Sequence, residues 1–345
     1  MMLSDVKILD FTTLLPGPFA TMYLADLGAK ILRVEAPGKI DLVKNLAPKV
    51  DGISVVYHVL HRNKSVVEID LKTSTGIEQV KQLVREYDVV IEGFRPGVMK
   101  KLGLDYDSLI KLNDKLIYCS ITGFGQDGPL VNTPDHDINY LALAGTPPPR
   151  NDYLPVPHNL QIADIAGGSL HTVIGVLSAY INLLKTGTGQ FIDIAMYDAT
   201  ISLSMIDLVR YLATKNLPNM ENGLLTGGTI YDYYQTHDGR FLSIGSLEPK
   251  FRMKLFHLLA IDPEGKSEFQ LKEIIRDLVK TKTLEYWISI FSRTETCVEP
   301  VLNFHEVVNH PQFVHRDLIG VLETSEGNVV KYIKNPIRFS AKLKS

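Results

Sequence analysis

Short apolar runs separated by amphipathic helices recur through the first two hundred residues, and that alternation leaves few folds open. KILDF at 7–11 and KILRV at 30–34 flank a helix expected at about 18–28. The alternation continues with VVEIDL, the helix TGIEQVKQLVREY, then DVVIEGF and LIYCSITGF. Parallel strands need crossover connections, usually helices. Strands buried on both faces read as continuous apolar runs, whereas half-exposed strands alternate. The pattern predicts a doubly wound, parallel-sheet, Rossmann-like α/β domain over residues 1–196.

A helix is expected at 137–144, ending at Gly145. The run TPPPRNDYLPVPH follows; proline lacks an amide donor and fixes φ, so this is a loop. A long apolar helix is expected from about 165 to 185, then a GTGQ turn into the strand FIDIAM. Residues 197–230 read as a linker helix with a polar, glycine-containing end. A smaller α/β domain is expected over 231–320, where HDGR turns YDYYQT back into FLSIGS. The basic C-terminal stretch 330–345 is expected to return to the large domain.

Bulk properties remove several functions. A formal net charge of −3 over 345 residues gives no case for nucleic acid or an anionic membrane. Cys119 and Cys297 are too few for a disulfide framework and wrongly spaced for zinc. The apolar stretch near 170–184 is interrupted by His171, Thr172, Ser178 and Asn182, and reads as too short and too polar to span a bilayer. With no basic-then-apolar leader and a KLKS end instead of SKL, a cytoplasmic location is expected. The absence of GxGxxG removes support for a nicotinamide site. His58, His61 and His171 read as structural, and no metal site is expected.

Three proton-handling residues on turns remain: His136 in PDHDINY, Asp164 in ADIAGGS and Glu248 in GSLEPKF. Each has a plain structural reading. Asp164 suits a helix N-cap, worth about 1 kcal/mol. His136 between Asp135 and Asp137 suits a solvated loop, and those neighbours also suit it for orientation by charge and hydrogen bonding. Glu248 before Pro249 suits the first turn of a helix. Ala166, Gly167 and Gly168 read as small residues that let a substrate approach the backbone.

The sequence resembles the alpha-methylacyl-CoA racemase branch of the family III CoA-transferase superfamily. The resemblance runs from ILDFTTLLPGPFATMYLADLGAKILRVEAPG through IEGFRPGVMKKLGL and ITGFGQDGP to the three runs above. It continues in GTGQFIDIAMYDAT, YYQTHDGRFLSIGS and CVEPVLNFHEVVNHPQF. It implies a racemase moving a proton at C2 of a 2-methyl-branched acyl-CoA through an enolate. His136 and Asp164 would serve opposite faces of that carbon, and Glu248 would fix the imidazole tautomer in the manner of a triad. It further implies an interlocked homodimer, with the site between the large domain of one subunit and the small domain of the other. No tightly bound cofactor is expected, only the CoA of the substrate.

The same resemblance places CoA contacts at Lys72, Gly93, Phe94, Arg95 and Lys101, and extends the set to Asp137, Asn139 and Tyr140. The strand end before Arg95 is where α/β folds place ligands. Ala36 and Lys101 stand where the family often carries Arg, and Lys does not reproduce a bidentate phosphate clamp. Arg33 and Lys39 are the nearby substitutes. One general base supplies about 10²–10⁴-fold and enzymes need at least about 10⁶-fold. An oxyanion donor is therefore expected, with the amides opening the Asp164 helix as its source.

Two other functions stay open. In a family III CoA-transferase Asp164 would be a covalent nucleophile. In a non-catalytic CoA-binding protein the same residues would serve structure alone.

Overall fold

The apolar runs assemble into one six-stranded sheet in which every neighbouring pair is parallel. A computed structural model describes residues 2–146, 157–217 and 223–340. The strands are β1 (Lys7–Asp10), β2 (Lys30–Glu35), β3 (Lys64–Glu68), β4 (Val89–Glu92), β5 (Ile117–Thr122) and β6 (Phe191–Ala195). Their spatial order is β3-β2-β1-β4-β5-β6. Residues of β4 and β5 are buried throughout, as continuous apolar runs require.

The helices that concern the sheet are α1 (Pro16–Asp26), α2 (Ser74–Val84), α3 (Asp137–Leu143), α4 (His171–Thr186) and α5 (Met196–Leu203). Strand alternation divides the core between the two faces. Ile8, Val89, Ile91, Ile117 and Cys119 pack with Leu24 of α1 and Val176 of α4. Leu9, Val90, Leu116 and Tyr118 pack with Val80 and Val84 of α2. Both faces are covered, as a doubly wound sheet requires. Strand succession reverses direction between β1 and β4, so loops leaving their carboxyl ends diverge and open a crevice.

The long helix begins earlier than expected. A π-helical segment, Ile162–Leu170, runs directly into α4, and together they span 25 residues. That length and composition suffice to cross a bilayer, correcting the expectation that the stretch is too short. Its buried stripe, including Ala163, Val173, Val176 and Ala179, instead belongs to the core of the sheet domain. Gly167 and Gly168 are buried. A Cβ on Gly167 would lie 3.2 Å from the Met196 carbonyl oxygen, and one on Gly168 3.1 Å from Pro16 and Met196 side-chain atoms. These glycines allow close helix packing, which corrects their reading as a substrate approach.

The chain divides into two compact units. The first holds residues 2–146, 157–204 and 317–340; the second holds 205–217 and 223–316. The single linker helix expected at 197–230 is instead α5 and α6 (Met205–Thr214), broken at Ser204, with residues 218–222 outside the described set. Most of the proline-rich loop, residues 147–156, also lies outside it.

In the second unit, β7 (Asp232–Gln235), β8 (Phe241–Ile244) and β9 (Val298–Pro300) form an antiparallel sheet. HDGR makes the turn between β7 and β8, with Gly239 at φ +75°. Helix α7 (Pro249–Leu258) follows β8, and Leu255, Phe256 and Trp287 are part of a separate core. This unit ends at Arg316, not 320. The hairpin β10 (Ile319–Glu323) and β11 (Val329–Ile333) belongs to the first unit, where Thr324 and Asn328 donate to the Asp51 carboxylate. The Arg62 guanidinium lies 4.5 Å from the Tyr332 ring centroid.

Candidate active site

Two hollows open at the carboxyl ends of the strands, on either side of the reversal point. The smaller, about 390 Å³, is walled by Thr12 and Thr13 after β1, Thr122 and Phe124 at the end of β5, and Asp135, His136 and Tyr140 around the start of α3. The larger, about 600 Å³, extends over the end of β2 and includes Ala36, Lys39, Asp70 and Lys72. Thr13, Leu14, Gly93, Phe94 and Arg95 line both. The two hollows therefore adjoin, meeting at these residues over β1 and β4.

Buried hydrogen bonds set the loops at that junction. Asp10, fully buried at the end of β1, accepts from the Thr12 amide at 2.9 Å and hydroxyl at 2.5 Å. Its other oxygen accepts from the Thr21 hydroxyl at 2.6 Å and stands 3.6 Å from the buried Lys64 ammonium. Gly17 allows the chain to close here, because a Cβ would sit 2.2 Å from Thr12. On β4, the Glu92 carboxylate accepts from the Phe94 amide at 2.8 Å and from the Ser120 hydroxyl.

Burial pushes the Glu92 carboxyl up to about 6, against the pull of its Ser120 and Phe94 hydrogen bonds. A carboxyl raised in the folded state contributes stability that is present below pH 4.5 and lost as pH rises through 6. Glu92→Gln removes that dependence. Between pH 4 and 7 the wild type should lose about 1–2 kcal/mol relative to the variant, read as a change in the gap between their denaturation midpoints. A gap that stays constant across this range would contradict the buried-carboxylate account.

His136 is the N-cap of α3, exposed at the edge of the smaller hollow. Its amide donates to Asn139 Oδ1 at 3.2 Å, which gives Asn139 a capping role. Among the described residues no hydrogen bond joins the imidazole to Asp135 or Asp137, so neither carboxylate orients it through one. Asp137 faces elsewhere: its Oδ1 accepts the Asp164 amide at 3.0 Å, tying α3 to the π-helical segment. Tyr140 is buried, and its hydroxyl donates to the Asp135 carbonyl at 2.8 Å. It supports the loop before His136 as part of the hollow's wall, and its polar end is committed inside the protein.

Asp164 is half-buried in the first turn of the π-helical segment, whose N-cap is Gln161. It is therefore not the cap itself. Burial raises its carboxyl to about 6, Asp137 adds to the rise, and the nearby His136 opposes it. Asp164 does not line the hollow that His136 borders. The expected oxyanion amides are partly spent. The Asp164 amide donates to Asp137, and the Ile165 amide donates to the Gln161 carbonyl at 2.9 Å.

Lys72 and Arg95 are exposed beside the larger hollow, and Lys39 stands at its rim. Lys101 is absent from the lining: on the short helix Val98–Leu102 it is Val98 and Leu102 that face the hollow. Of the two cations proposed as substitutes, Arg33 is consumed internally. Its buried guanidinium pairs with Glu35 at 2.5 Å and donates to Tyr57 at 2.7 Å and Asp41 at 3.3 Å.

Glu248 lies in the second unit as the N-cap of α7, with Pro249 at N1. It is exposed, its side chain makes no capping bond, and its carbonyl accepts the Phe251 and Arg252 amides at 3.0 Å each. His58 and His171 reach backbone carbonyls, and His61 is buried and held neutral by desolvation and nearby cations. All three are clear of the hollows' linings.

The sequence matches the CoA-transferase family III profile over residues 3–344. The chain belongs to that family. It is 35% identical over 339 residues to human alpha-methylacyl-CoA racemase, covering 94% of this chain and 84% of the relative. It is also 31% identical to a succinate–glutarate CoA-transferase of Agrobacterium fabrum, covering 98% of this chain and 89% of that one. A CaiB/BaiF family protein from Brucella suis superposes with a TM-score of 0.81 at 30% identity, covering 98% of this chain and 92% of the other. Family III relatives thus include both racemases and transferases, and a CoA thioester substrate is consistent with all of them.

The sequence reading missed Asp10, Lys64 and Glu92. The signal was present: a charged residue inside or closing an apolar strand run has to be paired where it is buried.

Proposed function

We propose that this family III protein is a racemase that moves the C2 proton of a 2-methyl-branched acyl-CoA thioester between two bases. One observation carries the reading. A half-buried Asp164 carboxyl, raised to about 6, lies within electrostatic reach of His136, and Asp137 ties their two segments together. A base with a pKa near the working pH combines availability with proton affinity.

The CoA moiety is assigned to the larger hollow, beside Lys72, Arg95 and Lys39, and the acyl end to the smaller hollow, beside His136. His136 and Asp164 remove and return the proton at opposite faces, through an enolate held on the thioester oxygen. Because Asp164 stands outside that hollow's lining, the bound acyl group has to reach past the start of α3. Glu248 is assigned the orientation of the imidazole, in an interlocked dimer in which the second unit of one copy serves the first unit of the other. Both assignments rest on the resemblance of the sequence runs around these residues.

The second reading is CoA transfer with Asp164 as nucleophile, favoured by the transferase relatives. Deuterium exchange separates the two. The racemase is expected to wash the C2 proton of 2-methylacyl-CoA into deuterated water with no acceptor acid present. Trapping of Asp164 as a hydroxamate by hydroxylamine, with CoA transferred to a free carboxylate and no washout, would establish the transferase instead.

A further inference from the structure

Leu14 holds a backbone conformation that its side chain opposes. Its φ is +65°, in the left-handed region where a Cβ crowds the backbone and where glycine is at ease. Strained residues persist where surrounding structure fixes them, and they concentrate at functional sites.

Here the fixing groups are identifiable. The Leu14 amide donates to Asp41 Oδ2 at 3.2 Å, and Asp41 Oδ1 accepts the Val43 amide at 3.0 Å. Buried Arg33 reaches the same Oδ2 at 3.3 Å and is itself held by Glu35 and Tyr57. Two residues earlier, Thr12 is pinned to Asp10 through both amide and hydroxyl. The turn is clamped on both sides, so Leu14 cannot relax.

The strained residue stands where the two hollows meet. Of the five residues lining both, Gly93 has no side chain, Thr13 and Arg95 are polar, and Phe94 is held by the Glu92 contact to its amide. Leu14 and Phe94 are the apolar side chains among them, and Leu14 is the one whose backbone a glycine would accept without strain. An acyl-CoA with its coenzyme in the larger hollow and its acyl end in the smaller must cross this junction with its thioester and adjacent carbon.

We propose that Leu14, held by the Asp41 clamp, is a specificity-determining residue that limits the size of the branch on the carbon next to the thioester. The proposal rests on the functional reading above for the placement of that carbon. Discrimination of a single methylene by an apolar wall is worth about 10–200-fold.

The test compares 2-methyl- and 2-ethylacyl-CoA of equal main-chain length, with wild type, Leu14→Gly, Leu14→Ala and Asp41→Asn. In deuterium exchange, the 2-ethyl to 2-methyl ratio of kcat/KM should rise at least about 10-fold in Leu14→Gly and less in Leu14→Ala. Asp41→Asn, which keeps the side chain and weakens its clamp, should raise the ratio by an intermediate amount. Glycine suits the positive φ, so Leu14→Gly should fold with an unchanged or higher melting temperature.

Calorimetric affinities for the same two thioesters provide a readout independent of turnover. If wild type exchanges neither substrate, the racemase reading fails, and the affinity ratio alone still decides the role of Leu14. Ratios unchanged in both Leu14 variants would overturn the proposal.

Discussion

Replacing His136 with Ala, or Asp164 with Asn, should lower deuterium exchange at C2 of 2-methylacyl-CoA by about 10²–10⁴-fold, the contribution of one positioned base. The fold should survive both changes. His136 is exposed, and its backbone capping contacts persist in the variant. At Asp164 the contact that ties the segment to α3 is made by the backbone amide, which Asn retains.

The two losses should differ between enantiomers, because each variant keeps the base on the other face. They should also differ in pH dependence. Where Asp164 takes the proton, it must be ionised. Its carboxyl is raised to about 6, so exchange in that direction should fall about tenfold per pH unit below 6, and not below the ordinary range near 3.8. Exchange within a few-fold of wild type in both variants would end the two-base reading. Exchange would then depend on other groups of the protein.

The sheet was legible because its determinants are local and repeated. Short, largely apolar runs such as those at β4 and β5, bounded by turn residues, suit strands covered on both faces, and the intervening helices leave parallel pairing as the way to join them. The crevice then follows from strand order, which is why Gly93, Phe94 and Arg95, placed at a strand end, line both hollows. Family resemblance supplied what local pattern lacks: the choice of His136, Asp164 and Glu248 among many polar turn residues.

What stayed hidden depends on partners distant in sequence. Tyr140 was assigned to CoA, but its hydroxyl is satisfied by the Asp135 carbonyl once α3 forms. Arg33 was a candidate phosphate ligand, and pairing with Glu35 and Asp41 removes it. The π-helical opening of the long helix depends on Gly167 and Gly168 packing against Met196 and Pro16. Helical periodicity read along the sequence reports none of these contacts. The strain at Leu14 is hidden for the same reason, because its conformation is imposed by Asp41 from another loop.

Breaking the buried Lys64–Asp10 pair should produce the largest loss of stability in the first unit. Both side chains are fully buried, and the ammonium also donates to Thr21 at 2.7 Å and to the Pro18 carbonyl at 2.9 Å. Burial pulls the lysine down to about 8, with Asp10 opposing the fall. The charge is thus costly in place and tolerated because of its partner. Removing one member of such a pair leaves an uncompensated buried charge, at about 3–5 kcal/mol.

Lys64→Met should therefore lower the denaturation midpoint by that amount, and Asp10→Asn by a similar one. The double variant should be far less destabilised than the sum, since it carries neither buried charge. The functional consequence follows from Thr12, whose amide and hydroxyl both rest on Asp10 and which lines the smaller hollow. Asp10→Asn should weaken acyl-CoA binding even where the protein remains folded, whereas Lys64→Met, which leaves the Thr12 contacts intact, should affect binding less. Additive losses in the double variant would mean that the two charges do not depend on each other, and the pair could no longer be what holds the β1 loop at the site.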